Sequence, residues 1–298
     1  SVLTARLYDN YVKTQDSPYN PNTNGSLSGN ATIGGELATR QDRWGNTAGA
    51  YVEYALGDKF FFGADAVDVR TKYRRPDLAN TLDSSVQTYG FKTGYKVLPK
   101  TRMFGALHRS ITHYSAGRTG ANHKDWLADF GAEGEFTAKL KGRVQTGFSY
   151  RHYDNYDHVR VGQSTNTTNW TVGAGLSYKP CPRTNIDLSA TRTLVDGTGV
   201  RWYISNNVAL AITRDIGKLT AKADGGVTID KYSDDQTTAN RTASRRDDTY
   251  TAGFGLNYAL TKWLSASADY RHTRRNSIFT WEYNYKDNTT SVGLKAAF

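Results

Sequence analysis

Ser291-Val292-Gly293-Leu294-Lys295-Ala296-Ala297-Phe298 ends the chain, and it alternates without a break. Val292, Leu294, Ala296 and Phe298 fall on one face, and Ser291, Gly293, Lys295 and Ala297 on the other. A period of two is that of a strand with two different surroundings. The same pattern recurs towards the N-terminus. Tyr250, Ala252, Phe254, Leu256, Tyr258 and Leu260 form its cleanest instance, and Val144, Thr146, Phe148 and Tyr150 oppose Arg143, Gln145, Gly147 and Ser149. Alternating segments of roughly ten residues with aromatic ends are those of strands that cross a membrane. Trp126, Trp170, Tyr178, Tyr258 and Trp263 suit girdles at the two interfaces.

The bulk composition agrees. The 298 residues have a mean hydropathy of -0.64, 38% hydrophobic residues, one Met and one Cys, beside 20 Tyr and 28 Gly. A barrel needs only every second strand residue to be apolar. No run of about 18 apolar residues occurs, which excludes a transmembrane helix. A soluble β-sandwich also alternates, but it needs a dense core of large residues. Here the apolar faces are rich in Ala and Gly and the opposite faces carry charge. The reading is all-β: a transmembrane antiparallel up-and-down barrel forming one domain over residues 1–298. Ser1 opens directly onto a strand with no visible secretory signal, as expected of a mature or trimmed chain.

Connection lengths orient the barrel. Six are tight: Leu56-Gly57-Asp58-Lys59, Val97-Leu98-Pro99-Lys100, Leu140-Lys141-Gly142, Lys179-Pro180-Cys181-Pro182-Arg183, Asp215-Ile216-Gly217-Lys218 and Leu260-Thr261-Lys262. Between them lie longer polar segments at 75–84, 115–125, 155–167, 196–200, 233–246 and 276–286. Bacterial barrels have short periplasmic turns and long extracellular loops, so the tight set is periplasmic. Fourteen strands are expected from residue 29 onward, beginning with 29–40 and 46–56. Residues 2–13 also alternate, which would make an odd number, whereas single-chain bacterial barrels close with even ones. Fourteen is the preferred count and sixteen the alternative. Residues 1–28 are then an extra strand, a plug or an N-terminal extension.

Three groups of residues resemble a known family. Tyr95-Lys96-Val97-Leu98-Pro99-Lys100-Thr101-Arg102 is similar to its tyrosine, strand end, proline turn and basic restart. Phe136 to Gly142 resembles the turn before its strand of the type Gly147-Phe148-Ser149-Tyr150-Arg151. Arg246-Asp247-Asp248-Thr249, the Tyr258-to-Trp263 turn and Asp269 to Ser277 resemble its C-terminal hairpin, followed by Tyr283-Asn284-Tyr285. The family is that of outer-membrane β-barrel porins of the beta-barrel porin-2 type, and the likeness covers about 85 to 298. The terminal Phe298 also resembles the closing signal of bacterial outer-membrane proteins. The resemblance implies the outer membrane of a Gram-negative bacterium, a porin-like barrel, and an association with exopolysaccharide export through a periplasmic export partner.

Catalytic chemistry finds no support. The six histidines are His108, His113, His123, His152, His158 and His272; no Gly-x-Ser-x-Gly elbow occurs, and no His pair has the close spacing of a zinc site. Neither a catalytic residue, a metal nor a cofactor is expected. Asp234-Asp235 and Asp247-Asp248 read as solvated loop charges. Cys181 has no intrachain partner and no haem-attachment motif. The net charge of +10 would suggest nucleic acid in a soluble protein, but no nucleic-acid-binding motif accompanies it.

If apolar strand residues face lipid, their alternates face a lumen. Lys92, Lys96, Lys139, Arg143, Arg271 and Lys295 are the expected lumen electrostatic residues. A barrel of about fourteen strands is wider than the eight whose side chains alone fill the interior. Arg70, Lys72, Arg74, Arg75, Arg241, Arg245, Arg246, Arg274 and Arg275 are expected at an extracellular basic rim. There they would meet outer-membrane lipid and lipopolysaccharide, or draw in an anionic solute or polysaccharide. The function expected is a passive channel with a mild anion preference. The alternatives are a plugged barrel scaffolding a partner complex and, least favoured, an outer-membrane hydrolase.

Overall fold

Strand after strand is paired with the next in chain order. A computed structural model describes residues 2–16, 41–115, 122–154, 165–196, 202–238, 241–279 and 283–296. Among them, fourteen strands form one sheet in the order of the sequence. They are β1 (Val2–Asp16), β2 (Gln41–Leu56), β3 (Phe60–Tyr73), β4 (Ser84–Leu98), β5 (Thr101–Tyr114), β6 (His123–Glu135), β7 (Leu140–Tyr153), β8 (Asn166–Cys181), β9 (Thr184–Asp196), β10 (Trp202–Ile216), β11 (Leu219–Thr238), β12 (Arg241–Ala259), β13 (Leu264–Ser277) and β14 (Tyr285–Ala296). A seven-residue helix, α1 (Pro76–Leu82), lies between β3 and β4, inside a segment the sequence reads as loop. Pro76 suits the first helical turn, where its missing N–H would find no intrahelical partner. The chain divides into two compact units, Ser1–Ala132 with Gln145–Thr171, and Glu133–Val144 with Val172–Phe298.

The period of two controls which side chains are covered. In the first unit, Phe60, Phe62, Tyr89, Phe91, Met103, Leu107, Trp126 and Phe130 are exposed on one face, while Phe61, Phe104 and Asp129 are buried on the other. In the second, Tyr178, Leu188, Val208, Leu210, Phe254, Tyr258, Tyr270, Val292 and Leu294 are exposed. Large apolar residues on the open face and charges on the covered one invert the soluble pattern. Lipid is the solvent that makes this arrangement favourable.

The tight connections are built in two ways. Gly57 (φ 61°) and Gly217 (φ 64°) take left-handed backbone conformations that a Cβ disfavours. Two others are closed by threonine. Thr137 Oγ1 accepts from the N–H of Lys139 and Leu140 (3.3 and 3.0 Å), and Thr261 Oγ1 accepts from Trp263 and Leu264 (3.3 and 3.0 Å). This corrects the sequence reading, which centres the third turn on Leu140-Lys141-Gly142. The turn occupies 136–139, and Leu140 already begins β7. The 233–246 segment is also largely strand, because β11 runs to Thr238 and β12 starts at Arg241, with a register shift between Lys231 and Asp235. Residues 2–13 lie in β1. The strand expected at 29–40 and the terminal Phe298 lie outside the described residues.

Candidate functional site: a charged trough on the covered face of the second unit

On the face opposite the exposed aromatics, the second unit holds a concave trough of about 700 Å³. Its lining combines Gly134, Gly142, Gly175, Gly225, Ala209, Ala211 and Ser189 with six charges: Glu135, Lys141, Asp187, Lys222, Asp224 and Arg271. Small side chains leave the space, and three cations face three anions within it. Asp224 is the centre of the charge pattern. Arg271 Nη2 lies 3.0 Å from its Oδ2, and Lys222 Nζ lies 3.5 Å from its Oδ1.

A glycine makes the Asp224–Arg271 contact possible. Asp224 on β11 and Arg271 on β13 are both opposite Gly253 of β12. A Cβ at Gly253 would stand 2.9 Å from either Asp224 carboxylate oxygen, so the two charges meet over a strand that has no side chain there. The first unit repeats the device. Asp65 and His108 approach to 3.8 Å over Gly90, and Phe61 and Phe104 pack together over Gly94. Inner-face glycines thus let side chains two strands apart touch.

The expected lumen residues are distributed differently than the sequence suggests. Arg271 lies in the trough. Lys92 and Lys96 lie on the face opposite the exposed Phe91 and Tyr95 in the first unit. There the Lys92 ammonium sits 4.2 Å from the centroid of Phe104 and 5.7 Å from that of Phe61. Arg102, which the sequence reading passes over, stacks 4.3 Å from the Phe61 centroid and pairs with Glu53 at 2.8 Å. Arg143 lies 3.5 Å from Glu133, and Lys295 is exposed on β14 opposite Ser265. Lys139 requires correction. It sits in the 136–139 turn rather than on a strand, and its ammonium donates to the Pro180 carbonyl at 2.9 Å. It ties two turns together instead of lining a wall. Tyr51 donates to Glu53, and Tyr203 is buried against Tyr232 with centroids 5.0 Å apart.

The basic rim divides in two. Arg70, Lys72 and Arg74 are exposed and paired with Asp68, Asp83 and Asp42 at 2.7, 3.1 and 3.5 Å, and Arg75 is half-buried where α1 begins. Arg246 and Arg274 are exposed, held by Asp248 (2.9 Å) and Asn276 (3.0 Å). Arg241 opens β12, and its side chain lies outside the described set. Arg245 and Arg275 do not belong to a rim, because odd positions of β12 and β13 point to the covered face. Arg245 is 1% and Asp247 0% exposed, with Arg245 Nη2 at 2.5 Å from Asp247 Oδ2. Arg275 donates to the same carboxylate. The Arg245 guanidinium lies between Tyr232 and Tyr283, 4.3 and 3.4 Å from their centroids. Asp247 is thus a buried counter-charge, not a solvated loop acid.

Comparison with known proteins identifies the fold and the family. A family described as "Putative beta-barrel porin 2" matches residues 70–298, and the chain belongs to it. No curated protein sequence matches the chain. Among solved structures, the FrpB iron transporter from Neisseria meningitidis (F5-1 variant) superimposes with a TM-score of 0.56 at 10% identity, over 97% of this chain and 55% of that one. The pyoverdine outer membrane receptor FpvA from Pseudomonas aeruginosa PAO1 gives 0.56 at 9% identity, over 87% and 48%. This chain therefore spans about half the length of these structures, and at such identities the likeness concerns the fold alone. The protein is a porin-like β-barrel of the outer membrane, so its exposed aromatic face is the lipid face and its covered face the lumen.

Proposed function

We propose that this member of the "Putative beta-barrel porin 2" family is a channel through which hydrophilic solutes, acidic saccharides among them, cross the outer membrane passively. A catalytic role is no part of the proposal. The observation that carries it is the trough: an open space of about 700 Å³ whose lining includes glycine, alanine and serine, with fixed charges of both signs. Charges on a low-dielectric wall select which ions are enriched near it. Three cations against three anions support only a mild preference, which Lys92 and Lys96 on the other unit's lumen face tilt towards anions. The cargoes of FrpB and FpvA do not carry over, because a shared fold does not transfer a site.

Single-channel recording in planar bilayers tests this. The protein should open ion-conducting pores, and a salt gradient should give a small zero-current potential of anion-selective sign. Reversing Lys92→Glu with Lys96→Glu should move that potential towards cations. A protein that inserts but never conducts would overturn the channel. That result would favour a scaffold whose lumen is filled, for which the buried network around Asp247 and the packed Phe279 and Tyr283 already supply some of the filling.

A further inference from the structure

Channel function leaves unused the lipid face of the second unit at its extracellular end. Four basic residues stand there on adjacent strands. Lys231 of β11 and Arg246 of β12 are directly opposite one another, as are Arg274 of β13 and Lys286 of β14. All four are exposed, and each lies on the parity of its strand's lipid-facing residues, such as Val227, Tyr250, Tyr270 and Val292. Arg274 is level with Tyr250, and Arg246 stands four residues further out along β12. At about 3.4 Å per residue the two cation pairs are roughly 14 Å apart along the strands.

Among the described residues, these four cations have one acidic partner. Asp248 is the acid on this face of β12 and bonds Arg246 at 2.9 Å, and Arg274 donates to the neutral Asn276. Lys231 and Lys286 have no ion-pair partner among the described residues. Uncompensated cations are costly against hydrocarbon, and they are favourable where anionic headgroups begin. Guanidinium and ammonium groups paired side by side match the oxygens of a phosphate.

We infer that Lys231, Arg246, Arg274 and Lys286 form a binding site for the phosphorylated headgroup of an outer-leaflet lipopolysaccharide, each pair taking one phosphate. The two pairs on one lipid face match a ligand with two separated phosphates, which a single ordinary phospholipid lacks. The site rests on the barrel's orientation and not on whether its lumen conducts.

Native mass spectrometry of the full chain in neutral detergent tests the site, with bisphosphorylated lipid A, its monophosphorylated form and phosphatidylglycerol as probes. The wild type should retain one bisphosphorylated lipid A, hold the monophosphorylated form less well and phosphatidylglycerol least. Lys231→Gln with Arg246→Gln, and separately Arg274→Gln with Lys286→Gln, should each weaken retention at least tenfold. Arg109→Gln, on the lipid face of the other unit, should leave it unchanged. Arg246→Lys with Arg274→Lys keeps the charge and should retain lipid, which guards against a folding artefact, as does an unshifted band on heat-modifiability gels. Equal retention by wild type and the fourfold Gln variant would overturn the site. Equal binding of phosphatidylglycerol would reduce it to general anionic attraction, and displacement by millimolar inorganic phosphate would make it a phosphate site rather than a lipid one.

Discussion

Replacing Asp247 by Asn should be the most damaging single change in the lumen of the second unit. The carboxylate is fully buried and accepts from Arg245, Arg275, Ser277 and the Tyr232 hydroxyl, the last at 3.3 Å. Asn preserves the shape but removes the carboxylate charge that both guanidiniums contact. Arg245 and Arg275 are 1% and 5% exposed, so neither can recover its hydration without opening the fold. Breaking a buried ion pair by removing one partner costs about 3–5 kcal/mol. At about 1.4 kcal/mol per decade, the folding equilibrium should fall roughly a hundredfold to a few thousandfold.

The assay is a reversible urea titration of the protein folding into vesicles of neutral lipid, read by tryptophan fluorescence. Two controls separate charge from packing. Arg246→Gln removes the neighbouring pair of the same type and spacing on the lipid face, and it should produce no resolvable change in neutral lipid. Replacing Arg245, Asp247 and Arg275 together by Met, Leu and Met removes every buried charge of the triad, and it should recover most of the loss. A destabilisation by Asp247→Asn below about 1 kcal/mol, the range of exposed pairs, would refute the claim that this network is desolvated.

Three further outcomes are expected. Leu256→Arg should cost roughly 2–4 kcal/mol in the same titration if it lies near the bilayer midplane, whereas Asn257→Arg, on the lumen face, should be mild; equal costs would reverse the face assignment. Gly217→Val and Gly57→Val should each cost about 1–2 kcal/mol, the penalty of a left-handed backbone with a Cβ, and a neutral result would show that these turns relax to another type. The exposed Cys181 thiol is held below its ordinary pKa by hydrogen bonding with the Thr184 hydroxyl and then the Arg183 backbone. Maleimide labelling from the periplasmic side should therefore begin at a lower pH than for a free cysteine, and Thr184→Val should move its onset upward; an onset that stays put would remove the hydrogen bond as the cause.

The faces of the strands could be read from sequence because lipid and lumen alternate at the period of the pleat. Phe91 beside Lys92, and Phe130 beside Asp129, state their surroundings without any tertiary information. Ends were harder. Lys141-Gly142 looks like a turn by composition, but Gly142 lies within β7, packed so closely on Gly175 that a Cβ could not fit. The signal for the true turn was present as Thr137-Ala138-Lys139-Leu140, which repeats the spacing of Thr261-Lys262-Trp263-Leu264. In both, the first-residue hydroxyl takes the N–H groups two and three residues on. The buried network was missed for a different reason. Arg245-Arg246-Asp247-Asp248 reads as a solvated charge run, and only the alternation continued outward from Tyr250 sends Arg245 and Asp247 inward while Arg246 and Asp248 go to lipid. No sequence signal reports the meeting of Asp224 and Arg271, because it depends on Gly253 of the strand between them.

That last dependence bears on how charge in this barrel should be interpreted. The net charge of +10 invites the inference of a strongly anion-selective pore. Yet the trough carries as many acids as bases, and Arg245 and Arg275 are both paired with Asp247 inside a buried network. Lys231, Arg246, Arg274 and Lys286 face the lipid side, where an outer-leaflet phosphate can see them and a permeating ion cannot. Selectivity depends on charges at the conducting wall, whose field is screened within about 8 Å at physiological salt. Part of the excess positive charge therefore faces the membrane and not the lumen. In the channel proposed here, selection among solutes would fall to a smaller set of paired charges, whose positions are set as much by glycines on the intervening strands as by the charged residues themselves.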